Sequence, residues 1–222
     1  MINRLIDRLE AKYGRYRGIR NLMSLIVIGM GIVFIADLFL PYIMGTSMSS
    51  LMMFNKAAIL RGQIWRLFTF VFIPPNSSIF FIIISLYFYW MLGSDLEREW
   101  GTFRFNLFYT FGMLCTVIAG TITGYATSYY LNMSLFLVTA ILYPERPIRL
   151  YGILEFKFKW LALVDVAILA YEFVFTSWPA RIAIVISLLN VLLFFMNRVI
   201  DRVKNAYRRY QWRKNWRNGT WR

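Results

Sequence analysis

Six stretches of this chain, at approximately 22–42, 77–93, 104–124, 129–143, 158–176 and 178–197, are apolar on the scale needed to cross roughly 30 Å of hydrocarbon. Lipid offers a peptide group no hydrogen-bond partner, so each stretch must be helical and the set must pack into one bundle. Composition agrees. With 59% hydrophobic, 19% aromatic and only 16% charged residues, the chain has too little polar surface to cover a soluble globule. The expected architecture is all-α and polytopic: residues 1–197 form one six-span membrane domain, residues 198–222 a basic-aromatic tail, and no second folded domain is evident.

Two spans read as short. Tyr129 to Tyr143 covers 15 residues and carries Asn132, Ser134 and Thr139. At about 1.5 Å per residue it reaches only about 22 Å, which suits the interior of the bundle and predicts a central helix. Ser77 to Gly93 is also short and ends in Tyr87, Phe88, Tyr89 and Trp90, rings that suit a headgroup boundary. Two short spans would mismatch and locally thin the bilayer.

Charge tests the span count. Lys and Arg total 25. If both ends are cytoplasmic, all but Lys56, Arg61, Arg66 and Arg181 fall on the cytoplasmic side, the asymmetry expected of a six-span protein. The formal charge of +14 then reports topology and attraction to anionic lipid headgroups rather than nucleic acid. The tail interleaves Arg and Lys with Tyr207, Tyr210, Trp212, Trp216 and Trp221, which predicts an interfacial helix on lipid. The apolar run from Leu22 is too long for a cleaved signal peptide and predicts a retained anchor. The single cysteine, Cys115, excludes an intramolecular disulfide and argues against structural zinc, so neither metal nor cofactor is expected.

The order of motifs resembles the rhomboid-like superfamily, which includes rhomboids and derlins. After the first span a long external loop carries Gly62-Gln63-x-Trp65-Arg66-Leu67-x-Thr69; after the second comes Leu96-Glu97-x-x-Trp100-Gly101-x-x-Arg104-Phe105. Ser134-Leu135-Phe136-Leu137, Tyr143-Pro144 and Phe158-Lys159-Trp160-Leu161-Ala162 continue the match, which covers roughly residues 20–195. The resemblance implies a six-helix bundle whose first external loop is partly embedded in the membrane and held there by Arg66 bonding to loop carbonyls. Glu97 and Trp100 would brace the turn between spans two and three, and Gly101 would allow a tight exit.

The resemblance also implies serine protease chemistry, with a nucleophile in a Gly-x-Ser-Gly segment of the fourth span and a histidine base in the sixth. Here the segment reads Asn132-Met133-Ser134-Leu135, without either glycine, and the chain contains no histidine. A serine hydroxyl without a base is a poor nucleophile at neutral pH. Lys157 and Lys159 stand at the wrong end of the fifth span to serve as one. Ser134 is therefore expected to bond across a helix pair, and Asn132 to do the same.

Three acids lie within spans: Asp37, Asp165 and Glu172. Asp165 and Glu172 are seven apart and share a helix face. Asp37 and Asp165 could formally make an aspartyl pair, but the Gly-x-Gly-Asp setting of such enzymes is absent. The simpler expectation is pairing, Glu172 with Arg66 or Arg181; lining of a wet groove is the alternative. In the sixth span Ala183-x-x-x-Ser187 is a small-residue step for close packing, with Asn190 facing the same interior.

The functional expectation is a pseudoprotease that binds or guides transmembrane client proteins without cleaving them. Rival readings are an atypical serine protease using Ser134 and a small transporter lined by Asp37, Asp165 and Glu172. No motor-docking tail of the derlin kind is evident, and small size favours a bacterial plasma membrane.

Overall fold

The computed structural model describes residues 18–75, 78–124, 126–145, 147–150 and 154–193, together with Arg208, Gln211 and Trp212. The tail reading otherwise lies outside the described residues. Helices answer to all six apolar runs. The first span is α1, Leu22–Met44, opened by Asn21 in a left-handed conformation and closed by Gly45, whose N–H bonds the Pro41 carbonyl. The loop after it folds into three short helices, α2 (Met48–Met52), α3 (Lys56–Leu60) and α4 (Arg66–Thr69), the last continuing as a 3-10 turn at Phe70–Phe72. Ser47 and Asn55 cap α2 and α3 by accepting from the amides of Ser50 and Ala58.

The second span, α5, runs from Ile79 to Trp100, 22 residues. It is not short: Gly93 lies in mid-helix, and the length is about 33 Å. The polar residues Ser94 to Glu99 that suggested an earlier end continue the helix toward the turn, so mismatch at this span falls away. Gly101 closes α5 at φ 82° and opens α6, Thr102–Thr123, with no intervening loop. Only a residue without Cβ turns there at little cost.

The fourth span, α7 (Tyr129–Leu142), spans 14 residues and is the bundle's centre. Leu131, Asn132, Ser134, Leu135, Leu137, Val138, Thr139 and Ala140 are all buried. It packs against α5, α6 and the fifth span, α8 (Phe158–Phe175). The last helix, α9, is described over Trp178–Leu193; Ser187 Oγ donates to the Tyr130 carbonyl at 2.7 Å and ties it to α7.

Between α7 and α8 the chain makes a short antiparallel hairpin, β1 (Pro147–Leu150) with β2 (Leu154–Lys157), pairing Ile148 with Phe156 and Arg149 with Glu155. An all-α reading did not foresee it. It stands outside the apolar runs, where strand pairing can satisfy backbone groups that the helices leave off.

By length and composition α1, α5 and α6 are each sufficient to cross a membrane. The 18-residue α8 carries Lys159, Asp165 and Glu172. The main core gathers Met23 and Met30 of α1, Phe54 and Phe70 of the loop, Leu96 of α5, Phe105 and Phe108 of α6, and Leu131 and Leu135 of α7. Helices approach closely where glycine permits. A Cβ at Gly93 would stand 2.5 Å from Met23 Cβ, and one at Gly112 would stand 2.6 Å from Asn190 Nδ2.

Candidate functional site

The loop between α1 and α5 is built around one buried cation. Arg66 Nη1 donates to the carbonyls of Ser50 at 2.9 Å and Met53 at 2.8 Å, and Nε donates to Gln63 Oε1 at 2.6 Å. Thr69 Oγ1 donates to the Met52 carbonyl at 2.9 Å. Arg66 thus satisfies the exposed C-terminal carbonyls of α2, whose first turn is held from the other end by Asp37, which accepts from the Ser49 amide at 3.0 Å and from its hydroxyl. Gly62, at φ 97°, turns the chain ahead of this cluster. The loop then sorts its apolar side chains. Phe54, Phe70 and Val71 point into the core, whereas Leu60, Ile64, Trp65 and Phe68 point outward, as a segment lying in lipid requires.

At the opposite end of the bundle, Glu97 Oε1 accepts from the Asn21 amide at 2.9 Å and from Thr102 Oγ1 at 3.1 Å. One carboxylate therefore joins the start of α1, the end of α5 and the start of α6. The Trp100 ring meets Phe108 edge-on at 5.7 Å. On the same side Glu145 accepts from Lys157 at 2.9 Å and Lys159 at 2.8 Å. Hydrogen bonds from Lys159 and then Lys157 hold its carboxyl down at about 2.

Ser134 is fully buried, and its Oγ donates to the Leu131 carbonyl, one turn back in its own helix, at 2.6 Å. The expected bond across a helix pair is not made; a local carbonyl is nearer and already oriented, the usual competition for a hydroxyl inside a helix. Asn132 does reach across: its Oδ1 accepts from the Tyr109 hydroxyl of α6 at 3.5 Å. Asn190, buried at 1% exposure, packs against Gly112 with neither side-chain polar atom hydrogen-bonded.

On the loop side the helices part around an open cavity of about 610 Å³. Its walls include Pro74 and Pro75 after the loop, Tyr89 of α5, Tyr129 and Asn132 of α7, Glu172 of α8 and Ala183 of α9. The lining reaches Asn132 and stops short of Ser134. Glu172 does not pair as expected. Arg66 is committed to the loop, while Arg181 donates to the carbonyls of Thr176 at 3.1 Å and Val174 at 2.9 Å and lies over the Trp178 ring at 5.1 Å. Glu172 Oε2 and Asp165 Oδ2 are both buried without a hydrogen-bond partner. Asp37, engaged with Ser49, belongs to the loop and not to this cavity.

The model of the Rhomboid domain matches residues 61–201 of this chain, from the end of α3 past the described part of α9. The chain belongs to the rhomboid family. None of the curated proteins matches it. As a rhomboid-family integral membrane protein it has the six-helix bundle and the loop that its motifs imply: Gln63, Trp65 and Arg66 are one element of that loop, and Glu97, Trp100 and Gly101 one turn.

Sequence reasoning missed the tyrosines. Tyr109 bonds Asn132, and Tyr89 and Tyr129 line the cavity with it, yet no motif singles them out, because only the crossing of α5, α6 and α7 brings them together. In the sequence Tyr89 suits a headgroup boundary; in the structure it lines the cavity. Among the described residues no group of three or more His, Cys, Asp or Glu is placed to hold a metal ion.

Proposed function

We propose that this rhomboid-family protein is a pseudoprotease that binds or guides transmembrane client proteins and does not cleave them. The observation that carries the reading is the state of Ser134. Its hydroxyl is fully buried, is spent on the Leu131 carbonyl and lies off the cavity lining, in a chain without histidine. Nucleophilic attack needs an exposed oxygen and a base within hydrogen-bond reach. What remains is a largely apolar cavity carrying a few polar groups, between α5, α7, α8 and α9, of a size that receives part of another helix. The Lys and Arg asymmetry supports both termini in the cytoplasm, with anionic headgroups against the basic tail, and the small size of the chain supports a bacterial plasma membrane as the location.

The test uses the purified, reconstituted protein. A fluorophosphonate probe is expected to leave it unlabelled, and a single-span reporter is expected to stay whole. Labelling and cleavage by the wild type that vanish in Ser134→Ala would overturn the proposal. Photo-crosslinkers at exposed α8 positions Val164, Ile168 and Tyr171 are expected to capture membrane-spanning proteins intact.

A further inference from the structure

Two carboxyls in the cavity region have no use within the fold itself. Asp165 and Glu172 lie on one face of α8 and within electrostatic reach of each other. Asp165 is only 6% exposed, and one oxygen of each is buried without a partner. Glu172 lines the cavity beside Tyr129 and Asn132. Asp165 stands outside the lining, within electrostatic reach of two of the cavity's rings, Tyr89 and Tyr129. The cations of neighbouring elements are engaged elsewhere: Arg66 with the loop, Arg181 with backbone carbonyls, Lys157 and Lys159 with Glu145 at the other end of α8.

We infer that this cavity receives a cationic side chain, a Lys or Arg carried on a membrane-spanning segment, with its ammonium or guanidinium placed against Glu172 and the charge of Asp165 behind it on the same helix face. The inference deepens the client-binding reading and rests on it. An unpaired carboxyl within a bundle and a basic residue within lipid are each unfavourable alone, and each supplies what the other lacks. The site offers more than charge. Asn132 and the tyrosine hydroxyls of the lining can accept the remaining N–H groups, and the aromatic residues Tyr89 and Tyr129 line the same cavity. The flanking residues Tyr171, Phe173, Val174 and Phe175 of α8 are apolar and exposed, so a segment arriving from the lipid meets Glu172 along an apolar track.

The experiment measures capture, in nanodiscs, of a synthetic Leu/Ala spanning helix with a photoreactive group and one variable residue at the depth of Glu172. With the wild type, the Lys helix is expected to be captured about tenfold better than the Leu helix, a difference of about 1.4 kcal/mol, and a Glu helix least. Glu172→Gln and Asp165→Asn are expected to bring capture of the Lys helix down to that of the Leu helix measured on the same variant. Because the three helices are compared on one wild-type protein, the result stands even if a variant folds poorly. Equal capture of Lys and Leu helices overturns the inference but leaves client binding intact; no capture of any helix overturns both. Soluble n-butylammonium separates the sources of the cation. A Lys preference that persists against equimolar free amine supports a membrane-borne group, and free amine that abolishes it at equal concentration overturns it in favour of a soluble ligand.

Discussion

Arg66 shows what a single side chain does for this protein. Its guanidinium faces two carbonyls and one amide oxygen that would otherwise lack donors in a segment set against lipid. Arg66→Ala is therefore expected to cost about 2–4 kcal/mol, read as a lower melting temperature in detergent, because charged donors are lost and their acceptors stay buried. Arg66→Lys should recover only part of this, since a point charge on a flexible stem cannot reproduce the fork. An unchanged melting temperature for Arg66→Ala would show that the loop is held by Phe54, Phe70 and Val71 alone. The motif made Arg66 legible in advance. Its partners at Ser50 and Met53, 16 and 13 residues away, were not, because the sequence does not say which way α2 turns.

At the scale of helices and hairpins, packing distinguishes residues that look alike in sequence. Gly93 faces Met23 at the crossing of α5 and α1, whereas Gly31, on α1 itself, has nothing within 4 Å of a built Cβ. Gly93→Ala is expected to destabilise by about 1–3 kcal/mol through overpacking, and Gly31→Ala to be neutral or slightly stabilising through helix propensity. Comparable melting curves for the two variants would contradict the crossing.

The hairpin side offers a pH test. The carboxyl of Glu145 is lowered to about 2 by hydrogen bonds from Lys159 and Lys157, so any stabilisation it contributes is present above the ordinary carboxyl range and lost as pH falls toward 2. Glu145 is fully exposed, and water screens the contacts. Glu145→Gln is accordingly expected to leave the neutral-pH melting temperature unchanged. Fluorescence melting at pH 7 and pH 3 checks it, and a large loss at pH 7 would mean that the hairpin carries more of the fold than its exposure suggests.

For the whole molecule, the prediction concerns topology. Six crossings would put the two ends on one side, and the distribution of positive residues predicts that side to be the cytoplasmic one. Green fluorescent protein fused after Arg222 should fluoresce, alkaline phosphatase there should be inactive, and phosphatase inserted near Leu60 should be active. The reverse pattern would invert the bundle and place the cavity on the cytoplasmic face.

The apolar runs alone determined that this is a helical membrane protein with a short central span, and the motifs alone placed the loop and the turn at Gly101. Those features follow from transfer free energies summed along the chain and from local backbone preferences, both of which a linear sequence contains. Tertiary structure decided the rest. It extended α5 to Trp100, turned the Ser134 hydroxyl back onto Leu131, joined Asp37 to Ser49 and left one oxygen each of Glu172, on the cavity wall, and Asp165 buried without a hydrogen-bond partner. Each of those outcomes depends on which donor, acceptor or void a distant segment brings within about 3 Å, the range over which a hydrogen bond acts.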